Sequence, residues 1–257
     1  MKIAVTGKGG VGKTTIASLL AILFAREGNR VIAIDGDPDS NLALSLGISK
    51  EEAAKITPLS ELKELIQERT GSVPGVSGGI FKLNPSVDDI PERFSIEHNG
   101  VKLMVFGNCR MGGSGCYCPE NAFLKNLLKH LLIQREDIVI LDMEAGIEHL
   151  TRGTASSVDA FIIVVEPGLK SIQTAEKIKQ LANDLGIVKI YVIGNKINSE
   201  LDKDFIRNQL KGMNIIGFLS FSPKVIKADI EGRNAFYENE EIVREIRTVK
   251  DILITLK

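Results

Sequence analysis

Near the amino terminus, Gly7-Lys8-Gly9-Gly10-Val11-Gly12-Lys13-Thr14-Thr15 satisfies the pattern G-x-x-x-x-G-K-[ST]. The chemistry of that pattern is phosphate binding. Glycines let backbone N–H groups turn inward around phosphate oxygens, and a helix starting where the loop ends adds its unpaired N–H groups and positive dipole end. Lys13 can bridge the β- and γ-phosphates of a nucleoside triphosphate, and the Thr14 hydroxyl can coordinate Mg²⁺. Gly9, Gly10, Val11, Gly12, Lys13, Thr14 and Thr15 thus form the expected nucleotide-binding set. Two acidic stretches supply what such a site also needs. Asp35-Gly36-Asp37-Pro38 follows one apolar run, and Asp142 ends another, Ile138-Val139-Ile140-Leu141, which puts a carboxylate near Mg²⁺ and its waters. Asp-Gly-Asp-Pro is also good turn chemistry, and the two roles are compatible.

A second group of reactive side chains lies in Gly112-Gly113-Ser114-Gly115-Cys116-Tyr117-Cys118-Pro119-Glu120. The pair could be a disulfide, a redox couple, a metal clamp or two small hydrophobes. Three cysteines is an odd count that fits no disulfide framework. In an extended segment residues i and i+2 face one side, so both sulfurs can address one point. Pro119 suits the first position of a helix, and Phe123, Leu124, Leu127, Leu128 and Leu131 continue an apolar stripe. Cys118 then stands at the N-cap, where the helix dipole favours thiolate, the metal-binding form. Two sulfurs are too few to close a tetrahedral site, whereas a two-fold dimer brings four. Cys109 reads as a small buried or loop residue, the alternative being an accessory ligand.

These groups need a frame, and the apolar pattern provides one. Residues 2–6, 31–34, 138–141, 160–165 and 190–193 are short runs rich in Ile and Val, separated by helical segments. Runs of that kind are buried on both faces, the mark of a parallel sheet. Right-handed crossovers then give an α/β fold, a doubly wound and mostly parallel sheet flanked by helices, in a single domain over 1–257. Residues 94–98 and 101–106 around Asn99-Gly100 predict a β-hairpin closed by a type I′ turn, an antiparallel addition. Residues 70–79 read as a surface loop. The helix after the phosphate loop carries Ile16, Leu19, Leu20, Leu23 and Phe24 on one face. Ile242, Ile246, Val249 and Leu253 predict a last helix packed on the sheet.

Bulk composition excludes several classes. Among 257 residues, 32 Lys and Arg balance 33 Asp and Glu for a net charge of −1. Nucleic-acid binders carry a basic footprint, so no nucleic-acid partner is expected. No apolar run approaches the ~18 residues of a membrane span, and no charged leader with an apolar stretch opens the chain. The expected location is cytoplasmic, with reduced thiols and no membrane partner.

Lys8, a second lysine inside the loop, gives "GKGGVGKTT" a specific resemblance. The string is similar to the deviant P-loop ATPases that include MinD, ParA and the nitrogenase iron protein. In that family the lysine crosses a dimer interface to the partner's nucleotide, as an arginine finger does elsewhere. Asp37 resembles the family's switch I aspartate, which orients or deprotonates the attacking water, with Asp35 supporting the Mg²⁺ shell. Asp142-Met143-Glu144-Ala145-Gly146 resembles its D-x-x-A-G switch II. Lys8, Lys13, Asp37 and Asp142 are therefore the implied catalytic set. Gly194-Asn195-Lys196 resembles the N-K element that reads the adenine edge, the alternative being an Asn195 that caps the next helix. A later strand, residues 215–219, leads into Ser220-Phe221-Ser222-Pro223, where the proline comes later than the family pattern has it.

Together with "DGDPDSNL", "GGSGCYCPENAFLK" and "AGIEHLTRGTA", the loop resembles the CooC-type branch, nickel-insertion ATPases that mature carbon monoxide dehydrogenase and related nickel enzymes. The resemblance implies ATP or ADP with Mg²⁺, a homodimer formed on ATP or metal binding, and one Ni²⁺ or Zn²⁺ held by Cys116 and Cys118 of two protomers. It implies a nickel enzyme as client. An iron–sulfur ATPase of the nitrogenase type would need a cysteine in switch II, where "DMEAGIEHL" has none. A positioning ATPase like MinD or ParA leaves Cys116 and Cys118 without a use. His149 follows switch II and reads as structural, the alternative being a response to nucleotide state, and His98 and His130 have no partner at ligand spacing.

Overall fold

In a computed structural model, which describes residues 1–37, 39–74, 80–107, 119–145 and 150–256, eight strands join in one sheet. They are β1 (Lys2–Gly7), β2 (Val31–Asp35), β3 (Ile96–His98), β4 (Val101–Val105), β5 (Ile138–Asp142), β6 (Ala160–Val165), β7 (Ile190–Ile197) and β8 (Asn214–Ser220). The order across the sheet is β3-β4-β2-β5-β1-β6-β7-β8. Every pair is parallel except β3 with β4. From β1 the chain moves outward through β2 to β4, returns through β5, and crosses to β6 on the far side. Ligands of open α/β sheets bind at the carboxyl edge near such a reversal, and the phosphate loop leaves β1 there.

Burial on both faces makes the core strands apolar at every position, and alternate residues serve opposite layers. Ile3 and Val5 of β1, Ile140 of β5 and Ile162 of β6 face one cluster. Ala4, Val139, Leu141, Phe161 and Ile163 face the other. The first layer holds α1 (Lys13–Arg26) and the last long helix. The second holds α2 (Lys63–Thr70), α3 (Pro119–Lys129), α4 (Leu169–Asp184) and α5 (Glu200–Gln209). A short α6 (Pro223–Ile230) then leads to α7 (Glu240–Thr255).

Three elements differ from the sequence reading. First, α1 buries every residue from Ile16 to Phe24, rather than one face, because it lies between the sheet and α7. Second, Thr70 is the buried last residue of α2, its hydroxyl donating to the Ile66 carbonyl, so no loop begins there. Third, the first hairpin strand keeps only Ile96–His98, because a helical turn at Ile90–Arg93 occupies the preceding chain. The turn itself is as expected, with Asn99 at φ 52° and Gly100 at 77°. The last helix packs Ile242, Ile246, Val249 and Leu253 inward, and Pro119 opens α3. Among the described residues no helix is long and apolar enough to cross a membrane.

Candidate functional site

The phosphate loop is shaped by close approach to neighbouring strands. A Cβ on Gly7 would overlap the Val164 carbonyl oxygen of β6, and one on Gly12, at φ 95°, would overlap the Asn195 amide. Only glycine fits either place. Val11 is anchored in the core between them. Gly12 is the N-cap of α1 and offers no side-chain acceptor to the first turn, which leaves that turn's N–H groups to an outside anion. Lys13, the first residue of the helix, is 6% exposed.

Facing the loop, two carboxylates close adjacent strands in register, Asp35 on β2 opposite Asp142 on β5. Both are wholly buried. Asp35 accepts from the Leu42 N–H at 2.9 Å and the Asp37 N–H at 3.2 Å. Burial still pushes its carboxyl up to about 6, against those two bonds. Asp142 is more extreme. Burial pushes it up to about 7, and the charges of Asp35 and Asp37 add to the rise. The Thr14 hydroxyl and the Lys13 ammonium lie close enough to oppose it. Yet neither Asp142 oxygen has a donor in hydrogen-bonding geometry among the described residues. Two orphaned, buried carboxylate oxygens beside a threonine hydroxyl are the donor set that a hard cation such as Mg²⁺ takes. Asp37 lies at a turn, its side chain accepting from the Asp39 N–H at 3.0 Å and its carbonyl from the Ser40 N–H at 2.9 Å.

Asn195 is not a helix cap. Ser199 caps α5 in a capping box with Asp202. Asn195 is instead 8% exposed, and its Nδ2 donates to the Val11 carbonyl at 2.8 Å, across 184 positions of sequence. Lys196, in a left-handed conformation at φ 59°, donates from Nζ to the Gly10 carbonyl at 2.6 Å. It also pairs with Glu166 at 3.0 Å, and Lys8 approaches the same carboxylate at 3.8 Å. Glu166 carries no motif, and the sequence reading missed it.

Beside the loop lies a mainly apolar cleft of about 190 Å³ between Thr15, Ile16, Asn195, Leu219, Phe221 and Ile226. The late proline explains its wall. Pro223 is the first residue of α6, with Ser222 as N-cap, so Phe221 and the first turn of α6 line the cleft. Glu245 of α7 fixes the strand end, accepting from the Ser220 N–H at 2.9 Å and its hydroxyl at 2.6 Å. A larger groove of about 680 Å³ lies at the other end of α1, around Arg26, Tyr237 and Arg244, and includes no phosphate-loop residue. Pro38, Cys109, Cys116, Cys118, Gly146 and His149 lie outside the described residues.

A glycine loop between strand and helix, with a carboxylate at the end of a neighbouring strand, defines a P-loop nucleoside-triphosphate site. Residues 2–235 match the CobQ/CobB/MinD/ParA nucleotide binding domain, and the chain belongs to that family of ATPases. Within the family it is a CooC-type deviant P-loop ATPase. It is 48% identical over 236 residues to the carbon monoxide dehydrogenase accessory protein CooC of Rhodospirillum rubrum, covering 92% of this chain and 89% of that one. An uncharacterized ATP-binding protein of Methanocaldococcus jannaschii is 45% identical over 260 residues, covering 100% and 99%. The MinD cell division protein of Aquifex aeolicus superposes with a TM-score of 0.69 at 21% identity, over 99% and 97% of the two chains. A plasmid partition protein of Borrelia burgdorferi bound to AMPPNP gives 0.70 at 19%, over 99% and 98%. At those identities the likeness is one of fold.

Proposed function

We propose that the chain is a Mg²⁺-dependent ATPase whose nucleotide cycle controls a homodimer holding one nickel or zinc ion, as cargo, between Cys116 and Cys118 of both copies. Its client is carbon monoxide dehydrogenase or a related nickel enzyme. The observation that carries the ATPase reading is Asp142, a buried carboxylate whose oxygens find no hydrogen-bond donor in good geometry among the described residues, with Thr14 and Lys13 close by. Thr14 and Asp142 would hold Mg²⁺, which supplies charge neutralisation on the β- and γ-phosphate oxygens. Lys13 and the N–H groups of Gly9, Gly10, Val11 and Gly12 bind those phosphates, with Thr15 and Asn195 at the mouth of the base cleft and Lys196 at its rim. Asp37 orients or deprotonates the attacking water. Lys8 of one copy reaches the nucleotide of the other.

The metal reading rests on kinship to a protein named as an accessory of carbon monoxide dehydrogenase, and on where the described chain flanks the cysteines. Phe106, just before residues 108–118, donates its N–H to the Asp35 carbonyl at 2.9 Å and accepts from the Ser60 N–H at 3.1 Å. The described chain that leads toward the cysteines thus ends hydrogen-bonded to the backbone of Asp35, a residue of the nucleotide site, which supports coupling between ATP and thiolates. Thiolate ligation alone suits both metals, square-planar geometry favouring Ni²⁺ and tetrahedral geometry Zn²⁺.

Equilibrium dialysis with Ni²⁺ and Zn²⁺, with and without nucleotide, tests the reading. About one metal per dimer is expected from four shared thiolates. It is lost in C116A/C118A while ATP binding survives. One metal per monomer, indifferent to those changes, would sink it.

A further inference from the structure

Glu166 follows β6 and is fixed at its backbone, the N–H donating to the hydroxyl of buried Ser171 in the first turn of α4 at 3.1 Å. Its carboxylate gathers two ammonium groups, Lys196 at 3.0 Å and Lys8 at 3.8 Å. The two lysines do different work. Lys196 and Asn195 take the carbonyls of consecutive loop residues, Gly10 at 2.6 Å and Val11 at 2.8 Å. A trans peptide sets each N–H opposite its carbonyl, so holding both carbonyls toward β7 turns the N–H groups of Val11 and Gly12 the other way, that of Val11 donating to the Lys8 carbonyl at 3.3 Å. The Lys8 side chain makes no such bond to the loop. It is the one cation of the group that a second copy would use. A single carboxylate therefore joins the residue that shapes the phosphate loop to the residue that leaves it.

We propose that Glu166 is a positioning residue that keeps Lys8 folded onto its own subunit until nucleotide and a second copy compete for it. The inference rests on the reading above that Lys8 serves the partner's nucleotide. The strength of the hold matters. The Lys8 and Glu166 side chains are 38% and 26% exposed and 3.8 Å apart. An exposed pair of that kind shifts an equilibrium by only about two- to fivefold. A charge-assisted bond from an ammonium to phosphate is stronger. The hold therefore biases the free chain toward a parked lysine without preventing its transfer. After Lys8 leaves, Glu166 still has Lys196, so the carbonyl grip on the loop persists through release. A glutamine at position 166 keeps a carbonyl oxygen for Lys196 and loses the charge that attracts Lys8.

Sedimentation velocity across a protein-concentration series, in Mg²⁺ and a non-hydrolysable ATP analogue with no transition metal added, tests this with wild type, E166Q, E166D and K8A. E166Q is expected to reach half-dimerisation at a concentration about two- to fivefold lower, with ADP affinity of the monomer within about twofold of wild type. E166D, which restores the charge, is expected to return toward wild type. Half-dimerisation of E166Q at the wild-type concentration or above it, with K8A defective, overturns the parking role. Dimerisation and hydrolysis unchanged in K8A overturn the role given to Lys8 and the parking role with it, so K8A tells the two failures apart.

Discussion

Strand β5 has a buried aspartate at each end, and the two are treated in opposite ways. Asp137 just precedes the strand and is 6% exposed, and Asp142 closes it at 0%. Burial would raise both. At Asp137 it is outweighed by Arg135, whose Nε donates at 2.7 Å, and by the charge of Arg30 at 3.6 Å, so the carboxyl is held below its usual range. Lys2 completes that end by donating to the carbonyls of Arg135 at 2.7 Å and Asp137 at 2.8 Å. Arg135 continues outward to Glu92 at 2.8 Å. At Asp142 no described residue donates as Arg135 does, the nearby Lys13 charge does not outweigh burial, and the carboxyl rises to about 7. One end of the strand is satisfied by the chain itself. On the proposed reading the other is left for a cation that arrives with the nucleotide, whose binding would relieve a cost built into the folded state.

Neutralising the two ends should therefore have different consequences. If Asp142 holds Mg²⁺ as proposed, Asp142→Asn removes the anion of that site, and a loss of turnover on the order of 10²-fold or more is expected, as for other preorganised charge-stabilising groups. The same change replaces a buried carboxyl that has no hydrogen-bond donor among the described residues, so the melting temperature of the nucleotide-free protein should stay level or rise. ATPase rates and thermal melts read both. A melt several degrees lower in Asp142→Asn would break the contrast, because it would mean that the carboxylate is satisfied. Arg135→Met is the mirror experiment. It takes the 2.7 Å donor from the buried Asp137 carboxylate and leaves it the charge of Arg30 at 3.6 Å, and removing one member of a buried pair costs about 3 kcal/mol. For a chain of this size that is roughly 6–12 °C of melting temperature. ATP turnover at a temperature where the variant is folded should be unchanged.

The two ends were not equally legible in sequence. The phosphate loop is contiguous, and its context needs only a strand before it and a helix after it. Asp142 was equally plain, because an apolar run ending in a carboxylate is local information. What sequence could not supply was register. That Asp35 lies directly opposite Asp142 depends on β2 and β5 being neighbours, although β3 and β4 intervene in the chain. Asn195 shows the same limit. Its partner Val11 is 184 positions away, and the local pattern left helix capping open. Glu166 had no signal at all, since a glutamate after an apolar strand is common and only the fold brings Lys8 and Lys196 to it. The end at Asp137 was passed over for the opposite reason: its charges are scattered across Lys2, Arg30, Glu92 and Arg135, and no spacing joins them. The all-round burial of α1 was in principle visible, since Ile16 to Phe24 is apolar except for Ser18.

The smallest effect per unit change is in pH, and it has opposite signs at the two ends. Asp142 rises from its usual 3.8 to about 7, and Asp35 to about 6. Between about pH 4 and 7 the folded state of the metal-free protein holds protons that the unfolded chain has already released. Stability must then fall as pH rises through that window, with a slope of up to about 1.4 kcal/mol per pH unit for each group, and level off above it. Asp137 is depressed, so its contribution is present above about pH 4 and is lost only as pH falls through its folded value. Melts in EDTA from pH 3 to 8 should show an acid limb that Asp137→Asn flattens and a descending limb that Asp142→Asn flattens, leaving the part due to Asp35. Mg²⁺ with ATP should stabilise the wild type more at pH 7.5 than at pH 5.5, because the cation requires the carboxylate that the proton otherwise occupies. A wild-type curve that climbs from pH 4 to 7 and is unmoved by Asp142→Asn would mean that Asp142 is ionised in the empty site, and the contrast between the two ends of β5 would collapse.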